Sequence, residues 1–268
     1  MIENTSWRFF PAKWNKTYRE AEVNFNSFLE FGIKIEAEAR QRMMLNPKEN
    51  PDEMSVLEKM IKRNAPESTY PLVMALDLIF AGIDTTGNTL GLLMYHLATN
   101  PEKQEILRKE CQKLGSDLTA KDLNELRYLK ACIQETNRLT PTIPIMIRPI
   151  VNDILLHGYE IPKDTVMFWS PFMFSRQFSD ADKFIPERWI EDKKKICPFS
   201  VRQFSHGPRM CIGKRFAELE FLLFTHKLMT NFKINWVNAE SVTLSRHIIN
   251  APDQSLDFQF IDIPPNKQ

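Results

Sequence analysis

Thirty consecutive residues, Tyr70 to Thr99, read as one helix that is apolar on nearly every side, with its one proline, Pro71, in the first turn. About eight turns of such a helix offer no continuous polar face to water, so the helix is expected to run through a core with other elements laid around it. Its most apolar run, Pro71 to Ile83, is too short to span a membrane and is interrupted by Asp77. A peripheral membrane contact stays open.

Hydrophobic periodicity supplies the surrounding elements. A long helix is expected from about Ala12 to Leu45, frayed or broken near Gly32 and ended by Asn46-Pro47, with a short one following at Ser55 to Arg63. Beyond the central helix, Pro101 begins a helix to Leu114 capped by Asn100, Thr119-Ala-Lys-Asp122 opens a short one, and Arg127 to Leu139 forms another that stops at Thr140-Pro141. The period then changes to two. Ile145 to Val151, Ile154 to His157, Tyr159 to Ile161 and Thr165 to Trp169 read as strands of a small sheet, with turns at His157-Gly158 and Pro162-Lys163-Asp164. Residues 184–211 make a long connection of little periodicity, a kind of segment that is usually functional. An apolar helix, Ile212 to Asn231, and two or three C-terminal strands complete a chain that is mainly α with small β-sheets, an α+β fold. With no repeat, low-complexity tract or linker, residues 1–268 are read as one unit.

Charge narrows the function classes. Thirty-five Lys and Arg against 34 Asp and Glu leave a net charge of +1, without the basic excess that a nucleic-acid partner calls for. The four cysteines, Cys111, Cys132, Cys197 and Cys211, show neither zinc-type CxxC spacing nor the density of a secreted disulfide scaffold, which fits a reducing compartment. The first residues, MIENTSWRFFPAKW, are aromatic-rich, carry Glu3 and lack a distinct apolar stretch; they read as the inside of a domain, with no targeting segment.

Glycine is scarce, 8 residues in all, yet Gly207 and Gly213 flank Cys211 in Phe204-Ser-His-Gly207-Pro-Arg209-Met-Cys211-Ile-Gly213, just before a long helix. A thiol there sits where the helix dipole and free N–H groups favour the thiolate, the form that binds metal. The glycines allow the backbone to approach a flat ligand and turn around the sulfur, and Arg209 is near enough to pair with a carboxylate on it. A lone cysteine would more often be a buried structural one; the surrounding pattern is what reverses that reading.

The pattern F-x-x-G-x-R-x-C-x-G resembles the haem-thiolate signature of the cytochromes P450, with Ser205 where many members have Gly. The resemblance implies haem b held by Cys211 as the axial thiolate ligand to iron, with Phe204, Gly207, Arg209 and Gly213 shaping the site. It extends to other segments in the family's order. Ala81-Gly82-Ile83-Asp84-Thr85-Thr86 resembles the central-helix motif at the oxygen site, which implies that Ala81 and Gly82 lie against the cofactor and that Asp84 and Thr85 deliver protons. A hydroxyl bonding back to a carbonyl one turn earlier is expected to bend the helix there into a local opening. Glu135 and Arg138, three apart on one helix face, together with Arg188 in Phe184-Ile-Pro-Glu-Arg-Trp189, resemble the family's buried structural triad. Arg148 matches the arginine that reaches a haem propionate, and Ile143 to Ile147 with Ile248 to Asn250 are pocket candidates by position.

Subtype and partner follow from the same resemblance. Lys214-Arg215 after the cysteine, and Lys130 on an earlier helix, are similar to the mitochondrial group, whose electron donor is an acidic 2Fe-2S ferredoxin, and the tail Phe258-Gln-Phe-Ile-Asp is similar to that of its insect members; Gln134 departs from the basic residue common there. Two adjacent cations suit an acidic partner. The implied activity is a monooxygenase that inserts one oxygen atom from O2 into a lipophilic substrate, in mitochondria on the matrix side of the inner membrane. A haem-thiolate isomerase or peroxygenase is disfavoured by Asp84-Thr85 and by Lys214-Arg215. Against the family the chain is short, corresponding to the C-terminal portion, so an incomplete domain that binds haem weakly or not at all is the alternative reading.

Overall fold

The computed structural model describes residues 15–115, 118–191, 196–197, 199–246 and 249–264. The N-terminal segment read above and the pocket candidate Ile248 lie outside them. The chain divides into two compact units, Met1–Ala81 and Gly82–Gln268, and the division falls inside the central helix.

In the first unit, the Asn15 side chain accepts the Tyr18 amide and starts α1 (Lys16–Leu45). The helix is continuous, where a break near Gly32 was expected. Gly32 serves a close approach instead: a Cβ there would lie 2.6 Å from Leu76 Cδ2 and 2.9 Å from Leu72 Cδ1. A glycine in a helix interior costs stability in a lone helix, and here that cost is offset by the packing it permits. Ser55 and Glu58 form the reciprocal capping box that begins α2 (Val56–Arg63). Glu58 is buried; the Ser55 amide first, then Lys48, hold its carboxyl below the usual range.

The central helix, α3, spans Tyr70–Thr99 as expected, but it is not buried along its whole length. Leu92, Leu93 and Leu97 are fully buried, whereas Phe80 and Ile83 are exposed. Apolarity qualifies a helix for a core, but burial needs facing elements, and those within the second unit meet its C-terminal turns. Among the described residues no helix is long and apolar enough to cross a membrane.

The second unit builds its core from Leu93 and Leu97 of α3, Leu107 and Cys111 of α4 (Pro101–Gln112), Leu129 and Cys132 of α6 (Arg127–Leu139), and later Phe221, Met229 and Ile234. Asn100 precedes α4 without capping it through its side chain, contrary to expectation; its Nδ2 instead donates to His96 O, one of the carbonyls that α3 leaves open at its end. Thr119 and Asp122 exchange hydrogen bonds at the start of α5 (Asp122–Glu125). Glu110 takes the Tyr128 and Leu129 amides and so closes the N-terminus of α6 from a neighbouring helix.

Among the described residues the strands form four antiparallel pairs, not one small sheet. β1 (Met146–Pro149) pairs with β4 (Val166–Trp169), while β2 (Ile154–Leu156) pairs with β3 (Tyr159–Ile161) through His157-Gly158, both at positive φ. After α7 (Pro171–Ser175) and α8 (Lys214–Asn231), β5 (Phe232–Trp236) pairs with β8 (Phe258–Asp262), and β6 (Leu244–Arg246) with β7 (Asn250–Pro252). The other edge of β5 is met by buried Gln104, which bonds both the amide and the carbonyl of Ile234 and the Leu97 carbonyl. One amide thereby completes a strand edge and a helix end. Leu256 approaches α3 where Gly91 leaves room, 2.8 Å from an added Cβ.

His96, on α3, lies stacked on Phe184 with 5.1 Å between ring centres. Thr140 Oγ1 donates to Thr136 O, so His96 Nε2, 3.3 Å from Thr140 Oγ1, carries the proton and donates. Burial pushes its pKa down to about 4; Glu135 opposes that shift and Arg138 adds to it. The unfolded chain therefore binds this proton more tightly, and the stability present above the free-histidine range is lost as pH falls through 6 towards 4. Between pH 7 and 4.5 this one group removes about 2–3 kcal/mol. Denaturant unfolding at the two pH values checks it: His96→Gln is expected to flatten the acid limb by that amount.

Candidate functional site

The loop before α8 is shaped by its own backbone. Ser205 N donates to Arg202 O, Cys211 N to Phe204 O at 3.0 Å, and Met210 N to Gly207 O at 3.0 Å, with Gly207–Arg209 in a 3-10 turn. These bonds turn the chain around Cys211, whose thiol is exposed. Gly207 has φ +78° and no atom within 4 Å of where a Cβ would be, so the glycine meets a backbone need and leaves an open approach. Gly213 is the N-cap of α8, 3.9 Å from Cys211 Sγ by its virtual Cβ. Cys111 and Cys132, by contrast, are buried, and burial pushes the Cys111 thiol up to about 12 and Cys132 well above its ordinary value. Those two are neutral packing thiols.

Ser205 sits at φ 63°, a left-handed conformation costing about 1 kcal/mol for a residue with a Cβ. Its hydroxyl accepts Arg148 Nη2 at 2.9 Å, a bond glycine could not offer. The structure thus brings Arg148, from β1, to the cysteine loop, while its Nη1 donates to Ile147 O. Arg209 is exposed on the same loop.

Glu135, Arg138 and Arg188 form one buried cluster. Arg138 Nε and Nη2 donate to the two Glu135 oxygens at 2.9 Å each, and Arg188 Nε donates to Oε1 at 3.0 Å. Two further donors escaped the sequence reading: the Ile185 amide and Trp189 Nε1, both 2.9 Å from Glu135. Trp189 follows Arg188 directly, and a buried indole needs an acceptor, so that adjacency was the available signal. Both guanidinium groups lie over the Phe178 ring.

Lys130, Lys214 and Arg215 line one cavity of about 470 Å³ with Gln134, Arg202 and Glu218. Lys214 Nζ lies 3.8 Å from Glu218, and Lys130 Nζ reaches Asn124 O at 3.5 Å. Four cations against one carboxylate make the mouth basic.

On α3, Asp84 is exposed and Thr85 half-buried, next to Ala81 and to Gly82, which has open space before it. The expected local opening is absent: α3 continues through residues 81–86. Thr89 Oγ1 does donate back to Thr85 O at 2.8 Å, but a carbonyl has two lone pairs and accepts this bond without giving up its helical one. Thr89 also meets the Thr142 hydroxyl, a contact that the sequence reading missed although Thr89 lies one turn from Thr85 on the same face.

The residues present fit a haem. An exposed thiol is a soft iron ligand, Met210 and Ile212 flank it as exposed apolar side chains, and Arg148 and Arg209 supply cations for two carboxylates.

Comparison with known proteins gives one family. Its model, described as Cytochrome P450, matches residues 2–253. Relatives include "Probable cytochrome P450 12a5, mitochondrial" of Drosophila melanogaster, 34% identical over 96% of this chain and 51% of that protein. "Cytochrome P450 CYP12A2" of Musca domestica is 32% identical over 86% of this chain and 45% of its own length. The "1,25-dihydroxyvitamin D(3) 24-hydroxylase, mitochondrial" of Mus musculus is 37% identical over 71% and 38%. The chain spans about half the length of the curated relatives it matches.

Proposed function

Because the chain belongs to the cytochrome P450 family, we propose that it forms the cysteine-ligand side of a haem-thiolate monooxygenase acting on a lipophilic substrate with electrons from an acidic ferredoxin. The observation that carries this reading is the exposed Cys211 thiol on a backbone-braced loop, with Arg148 drawn to the same loop through Ser205. When bound, the haem supplies the activation of dioxygen that places one oxygen atom in a C–H bond while the other leaves as water with two electrons and two protons.

The chain's own residues do the rest. Cys211 Sγ would hold the cofactor's iron as a thiolate, and Arg148 and Arg209 would pair with its carboxylates. Met210 and Ile212, exposed beside the sulfur, offer an apolar surface on which a flat cofactor would rest. Asp84, exposed to solvent, passes protons to Thr85 Oγ1, which delivers them on the oxygen side. Glu135, Arg138 and Arg188 touch no reacting atom; they keep the segment ahead of the cysteine loop in place.

Ferredoxin docking rests on the basic cavity mouth around Lys130, Lys214 and Arg215. The relatives' printed word "mitochondrial" supports mitochondrial residence, and a ferredoxin partner would place the chain on the matrix side of the inner membrane. Lys214→Glu is expected to raise the ferredoxin concentration for half-maximal rate about three- to tenfold at low salt, with the difference shrinking as salt screens it. Steady-state titration at two ionic strengths reads this, and an unchanged value at low salt removes Lys214 from the docking surface.

The experiment for the function itself is the carbon monoxide difference spectrum of the reduced, haem-supplemented chain. A strongly red-shifted Soret band, followed by ferredoxin-dependent product formation, is the expected result. Haem left unbound, or a band without the shift, would overturn the reading for this chain.

A further inference from the structure

The strongest unassigned feature is a pair of buried hydroxyls that joins α3 to the segment after α6. Thr89 Oγ1 lies 2.8 Å from Thr85 O and 2.7 Å from Thr142 Oγ1, and both threonines are more than nine-tenths buried. A hydroxyl has one hydrogen, and a carbonyl only accepts. Thr89 therefore donates to Thr85 O, and Thr142 donates to Thr89. From the other side, buried Asn250 of β7 fixes the backbone around residue 142: its amide donates to Thr142 O at 2.8 Å and its Nδ2 to Pro141 O at 2.7 Å. Two helical turns along α3, His96 makes a second tie to the same segment through Thr140. Three stretches remote in sequence thus meet in one hydrogen-bonded line: the turn bearing Asp84 and Thr85, the segment leading to Arg148, and the C-terminal strand β7.

The geometry points to Thr142 as a positioning residue for the oxygen-handling turn of α3. Its hydroxyl holds Thr89, and through Thr89 the Thr85 carbonyl, in fixed register with residues 143–148. This rests on the monooxygenase reading above, in which Thr85 delivers protons, and on residues 143–147 as the pocket candidates named by position. Without the Thr142 hydroxyl, Thr89 keeps its bond to Thr85 O, so the helix survives, but the turn is no longer tied across to the segment that lines the pocket. Misplaced proton delivery then turns dioxygen, two electrons and two protons into hydrogen peroxide in place of hydroxylated product and water.

Thr142→Val removes the hydroxyl at nearly constant volume, and Thr142→Ser restores it. In the chain without cofactor, amide hydrogen exchange of Thr142→Val is expected to rise about fivefold both in residues 84–90 and at Asn250, and Thr142→Ser to return near wild type. A change confined to residues 140–144 would overturn the tie. In the haem-loaded chain with ferredoxin, Thr142→Val is expected to keep the carbon monoxide band and the substrate KM while product per electron pair falls about fivefold and peroxide rises, the loss of one net hydrogen bond; serine rescues it. Product per electron equal to wild type overturns the positioning role. A wild-type chain that makes no product fails the monooxygenase reading instead, and the positioning role of Thr142 in turnover falls with it, a result told apart by the exchange experiment, which needs no turnover.

Discussion

Replacing Glu135 with alanine is expected to lower the unfolding free energy by about 3–5 kcal/mol, a large part of the roughly 5–15 kcal/mol that a domain has. Glu135 is fully buried and is the shared acceptor of Arg138, Arg188, Trp189 and the Ile185 amide. Alanine leaves two buried guanidinium groups without their counter-charge. Their remaining partners do not move away: Arg138 Nη1 and Nη2 still donate to Ser175 O, Ala181 O and Lys183 O, and Arg188 Nη1 to Ser179 O. Carbonyl dipoles solvate a cation but do not neutralise it. Glu135→Gln keeps the shape and loses the charge, and its amide NH₂ points donors at donors, so it is expected to be destabilising to a lesser degree. Equilibrium denaturation of both variants reads the effect as a lower midpoint. A loss below about 1 kcal/mol for alanine would put the pair in the class of solvated surface contacts, against its complete burial.

Cys211→Ser is expected to have the opposite profile: no red-shifted band under carbon monoxide, with a stability within about 0.5 kcal/mol of wild type. The loop is held by the Cys211 amide to Phe204 O and by the Met210 amide to Gly207 O, and neither involves the sulfur. Serine preserves that backbone and the small exposed side chain while replacing a soft anionic donor with a hydroxyl that stays protonated near neutral pH. Difference spectra and thermal melts on one preparation separate the two effects. A variant that retains the shifted band would assign the ligand to another residue. Together the two substitutions are expected to separate a buried residue that is costly to remove, Glu135, from an exposed one whose loss leaves the fold intact, Cys211.

Helix positions were legible because apolar spacing and local caps are carried by neighbouring residues. The Ser55–Glu58 box and the Thr119–Asp122 exchange appear where their spacing puts them. Three misreadings share one cause. Gly32 looked like a helix break and is a crossing point with Leu72 and Leu76; Asn100 looked like a cap and bonds backward to His96 O; α3 looked buried along its length and exposes Phe80 and Ile83. In each case a residue's local meaning was changed by what the chain brought against it. Of the candidate site, the cysteine loop with Ser205 and the Glu135, Arg138 and Arg188 set were named from pattern, while the roles of Trp189, Thr89 and Thr142 and the bond of Ser205 to Arg148 were not, since those partners lie many residues apart.

The order of helices and strands, the family and the chemistry available at Cys211 are written in runs of adjacent residues, because periodicity, capping and a ten-residue loop are local matters. Contact between distant segments decided the rest: Arg148 meets the loop through Ser205, Gln104 closes both a strand edge and a helix end, and Thr142 meets Thr89 across 53 positions. A buried polar atom has to find its partner wherever the fold puts one, and no spacing along the chain encodes that choice.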